Sequence, residues 1–131
     1  MKYLIDTDWV IDHLGGVKSI TRKLEELTPE GVGISIISLA ELYEGIYCSK
    51  NPTKDEKVLE KFLKNINILN INEAISKIFA KERCRLRKIG QLIDNFDLLI
   101  ASTAIYYNLT VLTNNRKHFE RITGLKLISF N

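Results

Sequence analysis

Three acidic residues stand where this chain is predicted to pass from extended backbone into helix. Asp6 closes the apolar run Tyr3-Leu4-Ile5, and helix-like spacing starts at once behind it. Glu41 follows Ser38 by three residues, just after the β-branched stretch Val32 to Ile37. Asp97 follows Asp94 by three and leads into Leu98-Leu99-Ile100-Ala101. In an open α/β sheet, ligands bind beyond the carboxyl ends of the strands. Asp6 is therefore predicted on the floor of a site that Glu41 and Asp97 join. Carboxylates gathered in one pocket repel each other and raise each other's pKa, and a divalent cation removes that penalty. All-oxygen ligands select magnesium or manganese over zinc. The chemistry this permits is metal-assisted hydrolysis.

A purely structural role fits each acid taken alone. Ser38-Leu39-Ala40-Glu41 is a capping-box pattern, and Asp94-Asn95-Phe96-Asp97 resembles one. The helix dipole also favours an acid in a first turn, by ~0.3–1 kcal/mol. Taken together the acids point the other way. Asp97 heads an element that must be deeply packed, and a carboxylate at the edge of a core needs a cation or donors to offset its lost water.

The elements that would position these acids alternate along the chain. Apolar runs at 3–5, 32–37, 66–71, 110–113 and 125–130 read as strands. Helices are predicted from Trp9 to Leu14, ending at Gly15-Gly16, and then at 19–27, 38–48 and 53–65. Another is predicted from Asn72, as cap, to about Ile89, with a buried helix at 96–107 and a short turn at 115–121. Strand–helix alternation implies α/β architecture: a twisted parallel sheet of four to five strands with helices on both faces. No linker, repeat or low-complexity tract interrupts it, so one domain over residues 1–131 is expected.

Composition narrows the class. With 131 residues, 45% hydrophobic and 27% charged, the chain has the make-up of a globular protein with a real core. The most apolar segment, Leu98 to Tyr107, is half the ~20 residues a membrane span needs. The opening lacks the pattern of a signal peptide, so a cytoplasmic protein is expected. Cys48 and Cys84 lack metal-type spacing and are expected to be free and mostly buried. A net charge of +3 fits a nucleic-acid partner without arguing for one.

Four segments in order carry a family resemblance: Leu4-Ile5-Asp6-Thr7-Asp8, Ser38-Leu39-Ala40-Glu41-Leu42-Tyr43-Glu44-Gly45, Asp97-Leu98-Leu99-Ile100-Ala101, and Leu112-Thr113-Asn114-Asn115 with Phe119. Together they resemble the PIN-domain family, and within it the VapC-type ribonuclease toxins of toxin–antitoxin modules. The resemblance implies that Asp6, Glu41 and Asp97 bind magnesium, with manganese as the alternative. It implies a divalent-metal-dependent endoribonuclease that leaves a 5′-phosphate and a 3′-hydroxyl. Thr113 and Asn115 join the catalytic set on the same grounds. Thr7 and Thr113 are candidates to orient a water or the carboxylates, and capping explains either hydroxyl as well. The chain departs from the family after the fourth strand. Asn115 stands where many relatives carry a fourth acid, and His118 stands just before Phe119; Asp8 and Asp94 are the candidate substitutes.

An RNA substrate needs cations. Lys77, Lys81, Arg83, Arg85, Arg87 and Lys88 crowd the long helix, and Arg116, Lys117, His118 and Arg121 form a second group. Arg87, Lys88 and Arg116 lie nearest the acids in sequence and are the predicted RNA contacts. Tyr43, Tyr47 and Phe62 are candidates for a homodimer face, although a core role explains them too; an antitoxin is the partner the resemblance implies. His13 is expected to cap the end of its helix, and Trp9 and Tyr3 to be core. Two other readings compete. One is a catalytically weak PIN-like module that binds RNA or protein. The other is a haloacid dehalogenase-like phosphatase using Asp6 and Asp8, a family that also needs late acids this chain lacks.

Overall fold

The computed structural model describes residues 1–130. Its organising element is β1 (Tyr3–Ile5), three residues buried on both sides. Tyr3 and Ile5 face one cluster of buried side chains and Leu4 faces the other, the two-residue alternation of a strand sandwiched between helices. β2 (Val32–Ser35) and β4 (Thr110–Leu112) flank β1, and β3 (Asn67–Leu69) and β5 (Lys126–Ile128) form the edges. All pairings are parallel, in the order β3-β2-β1-β4-β5. The chain therefore winds outward from β1 in both directions, and the crevice between β1 and β4 is a topological switch point.

One face of the sheet is covered by α1 (Thr7–Leu14), α2 (Lys18–Leu27), α3 (Ile36–Tyr47) and α4 (Pro52–Leu63). Trp9, Val10, Ile20, Leu24, Leu39 and Leu59 pack there on Ile5 and Ile34. The opposite face is covered by α5 (Glu73–Lys88), α6 (Asn95–Tyr107) and the short α7 (Arg116–Phe119). Leu86, Leu98, Ala101, Ala104 and Phe119 pack there on Leu4 and Val111. No helix among the described residues is long and apolar enough to cross a membrane.

The expected caps hold where a polar side chain meets a helix start. The Asn72 side chain accepts from Ile75 N at 2.8 Å, and Asp94 accepts from Phe96 N at 3.0 Å. Gly90, which follows α5, sits at φ +69°, a conformation that costs glycine little.

Two expectations are corrected. The strand predicted to reach Ile37 stops at Ser35, because the Ser35 hydroxyl accepts from Ile37 N at 3.0 Å and starts α3 two residues early. The two cysteines are free but exposed rather than buried; Cys84 lies on the side of α5 away from the buried Leu86.

Candidate active site

The switch point gathers acids from three parts of the chain. Asp6, 4% exposed, caps α1: one of its carboxylate oxygens accepts from Thr7 N at 2.7 Å, and the other accepts from the Thr113 hydroxyl at 2.7 Å. Thr113 directly follows β4, so this bond, together with Asp6 N donating to Leu112 O at 2.9 Å, ties the ends of β1 and β4 together.

Glu41 reaches the site from the second turn of α3, not the first, since the helix opens at Ile36. The capping-box reading therefore fails, and Ser38 is buried with its hydroxyl unpartnered among the described residues. The Glu41 carboxylate accepts from the Thr7 hydroxyl at 2.8 Å. Asp97 does lie in the first turn of α6, but it turns away from its own helix. Its Oδ2 accepts from Asn115 Nδ2 at 2.9 Å and meets His118 Nδ1 at 2.7 Å. The backbone N–H groups at the head of α6 are satisfied by Asp94, which is thus a cap. Thr7 and Thr113 hold carboxylates, and neither hydroxyl caps a helix.

The electrostatics are those of acids held together without a counter-ion. Burial pushes the Asp6 carboxyl up to about 7; the neighbouring Asp8 and Asp97 charges add to this, against the bonds from Thr113 and Thr7. Burial also raises Asp8, Glu41 and Asp97, and the Asp97 charge adds to the shift at both Asp8 and Glu41. Among the described residues no Lys or Arg pairs with any of the four; the only such partner is His118 on Asp97. Nor are any three acidic, His or Cys groups packed tightly enough among these residues to chelate an ion as they stand. The acids feel one another's charge without touching.

A hard divalent cation fits this donor set. The candidate donor atoms are all oxygens, and Asp8 Oδ1 is a buried carboxylate oxygen with no hydrogen-bond partner among the described residues.

Asn114, to which the sequence assigns no role of its own, is a structural residue. Its Oδ1 accepts from Trp9 Nε1 at 3.1 Å and from Phe130 N at 2.6 Å, and its own N–H donates to Asp8 Oδ2 at 3.0 Å. The Ser129 hydroxyl donates to Thr113 O at 2.6 Å. The segment after β5 thus braces the loop whose neighbours hold Asp6 and Asp97. Asn114→Ala leaves the Trp9 N–H without its partner inside the protein. It should cost about 1–3 kcal/mol in a urea titration and lower cleavage at saturating RNA in the same preparation.

The basic residues divide. Arg87 and Lys88 are exposed at the end of α5. Arg116 is exposed but bound to Glu120 at 2.9 Å. Arg85 pairs with Glu82 at 2.9 Å and donates to Arg121 O, which makes it a structural brace. Arg83, outside the predicted contact set, bonds Asn95 at 2.9 Å at the head of α6, two residues from Asp97. His13 bonds the Thr21 hydroxyl at 2.9 Å rather than capping α1. Trp9 and Tyr3 are core, as expected. Tyr43 is half-buried and stacks at 5.9 Å on Tyr47, which is exposed, and Phe62 packs beside His13.

Known proteins share this sequence pattern and fold. The sequence profile of the PIN domain matches residues 3–125. A curated relative named Ribonuclease VapC1, from Methanocaldococcus jannaschii, is 42% identical over 128 residues, 96% of this chain and 86% of its own. A crystal structure of VapBC2 from Rickettsia felis, bound to a DNA fragment from its promoter, superposes with a TM-score of 0.93 at 34% identity and covers 100% of both chains. VapBC-1 from nontypeable Haemophilus influenzae superposes with a TM-score of 0.89 at 33% identity over 98% of each chain. Shared sequence at that level over nearly the full length, on a common five-stranded scaffold, is the mark of common descent, and the chain belongs to the PIN domain family, among its VapC ribonucleases.

Proposed function

We propose that this protein is a divalent-metal-dependent endoribonuclease and the toxin of a VapBC-type toxin–antitoxin pair, acting as one PIN-like domain over residues 1–131. The observation that supports the reading is that Asp6 and Glu41, from separate elements, both feel the charge of Asp97, while among the described residues no Lys or Arg pairs with any of the three. These three carboxylates would hold a magnesium ion, or a manganese ion in its place. When bound, the cation polarises a phosphate oxygen and lowers the pKa of an attacking water.

The chain's own residues do the positioning. The Thr113 hydroxyl fixes one oxygen of Asp6, and the Thr7 hydroxyl fixes one oxygen of Glu41. Each carboxylate is then held with its remaining lone pairs pre-oriented, which lowers the reorganisation needed on the way to the transition state. Asn115 does the same for Asp97.

The partners follow from the family. The matched structures are VapBC complexes, which supports a cognate antitoxin for this chain. A homodimer would use the exposed Tyr47 with Tyr43. RNA would reach the acids past Arg87, Lys88 and Arg116, in the cytoplasm.

The reading is tested by incubating the purified protein with total RNA in magnesium or manganese and again in excess EDTA. The expected result is metal-dependent fragments with 5′-phosphate and 3′-hydroxyl ends. Cleavage that persists in EDTA, or full RNA binding without cleavage in either metal, would overturn it.

The RNA path gives a separate expectation. For single strands, each lost phosphate contact lowers the slope of log affinity against log salt by roughly 0.7. The double variant Arg87→Ala/Lys88→Ala, made in an inactive Asp6→Asn background, should therefore lose about 1.4 from that slope by fluorescence anisotropy. Arg116→Ala should lose less, because Glu120 already holds that guanidinium.

A further inference from the structure

We infer that this centre holds one divalent cation rather than two, because Asn115 and His118 occupy the Asp97 oxygen that a second cation would need. The inference rests on the nuclease reading above and concerns the makeup of the same site.

Asp97 Oδ2 lies 2.9 Å from Asn115 Nδ2 and 2.7 Å from His118 Nδ1. A carboxylate oxygen only accepts, so both nitrogens must present N–H groups to it. The two donors are 3.1 Å apart, side by side, and aimed at one oxygen. Reversing the Asn115 amide would set its carbonyl oxygen against Oδ2, so this contact fixes the amide's orientation. The loop is held as well: Asn115 N donates to Thr113 Oγ1 at 3.0 Å, and that hydroxyl donates to Asp6 Oδ2 at 2.7 Å. The donors therefore belong to a connected network that spans the crevice.

Two-metal phosphodiesterases keep their ions about 3.5–4 Å apart. Two dications that close repel each other strongly, and negative charge on both flanks offsets that repulsion. Here one flank is well supplied. Asp6 and Asp8 enter from β1 and α1, and Glu41 enters from α3. The flank beyond β4 offers an amide and an imidazole, neither of which carries negative charge. Asp97 is the acid in contact with that flank, and its Oδ2 already accepts from two N–H groups. Its other oxygen would serve a single ion shared with Asp6 and Glu41.

The test is a manganese titration of the full chain without RNA, by calorimetry and electron paramagnetic resonance, with circular dichroism to confirm that each variant is folded. The expected result is one Mn2+ per chain with the spectrum of an isolated ion. Replacing a neutral donor with an acid should open the second position. His118→Asp, and independently Asn115→Asp, are each expected to take the stoichiometry to two and to add an exchange-coupled signal. Two ions in the unaltered protein would overturn the inference and leave the nuclease reading standing. Stoichiometry that stays at one in both folded variants would also overturn it, since other residues would then set the count. No binding of either manganese or magnesium would bring down the nuclease reading and this inference with it.

Discussion

Asp6→Asn is expected to abolish RNA cleavage, by at least about a thousand-fold, while making the metal-free protein more stable. The two effects have one cause. Asp6 is buried beside Asp8 and within reach of the Asp97 charge, and its carboxyl is pushed up to about 7. At pH 8 the fold must therefore hold that group ionised against its surroundings. The cost is on the order of 4 kcal/mol, at about 1.4 kcal/mol for each unit of pKa displaced from 3.8 to about 7. Asparagine has nearly the same shape and no charge. Its amide oxygen can still accept from Thr7 N, and the Thr113 hydroxyl can rotate to accept from its amide nitrogen. A gain of about 1–3 kcal/mol remains after that rearrangement, equivalent to about 3–10 °C in melting temperature for a chain of this size. Loss of a charged ligand to the cation removes the stabilisation on which the reaction depends. The paired measurements are single-turnover cleavage and thermal melting in EDTA at pH 8. Loss of activity together with a lower melting temperature would mean that Asp6 supports the fold.

The second large expectation is an inverted pH profile. Many globular proteins gain stability as the pH rises from acid, because their native carboxylates have lowered pKa values. Asp6 behaves in the opposite sense. Its carboxyl titrates near 4 in the unfolded chain and at about 7 in the fold. Between those values the native state binds the extra proton, so stability falls with rising pH and flattens above about pH 7. The upward shifts at Asp8, Glu41 and Asp97 act in the same direction. The metal-free protein should therefore lose about 2–4 kcal/mol of unfolding free energy between pH 5 and pH 8 in urea titrations. Asp6→Asn should flatten most of that slope. Saturating Mn2+ should reverse it, since the ionised site binds the cation and the protonated site does not. A metal-free stability that rises across the same window would contradict the electrostatic account of the site.

Much of this architecture is legible in the sequence because its signals are local. Tyr3, Leu4 and Ile5 announce a strand with two covered faces, Asn72 and Asp94 announce helix starts, and Gly15 and Gly90 mark helix ends. The start of α3 is not legible, because Ser35 and Ser38 both precede helical sequence and Ile36-Ile37 has the β-branched character of a strand. What decides between them is that the strand ends where Ser35 can cap, and periodicity does not encode that. The acids themselves were visible, yet their meeting depends on β4 lying beside β1, a pairing between residues over a hundred positions apart. The bracing role of Asn114 is hidden for the same reason: its partners Trp9 and Phe130 lie 105 and 16 residues away. Exposure of the cysteines also lay beyond local reading, because type alone favours burial while position on the α5 surface decides it.

The account's central claim is spatial: Asp6, Glu41 and Asp97 together hold the reactive cation. Anomalous diffraction from crystals grown with Mn2+ measures this directly. The account predicts a peak in the crevice between β1 and β4, with an oxygen of each of these three carboxylates about 2–2.5 Å from the ion, at the distances typical of hard divalent cations. A peak bound elsewhere, or one that leaves Asp6 or Asp97 out of its coordination, would contradict it.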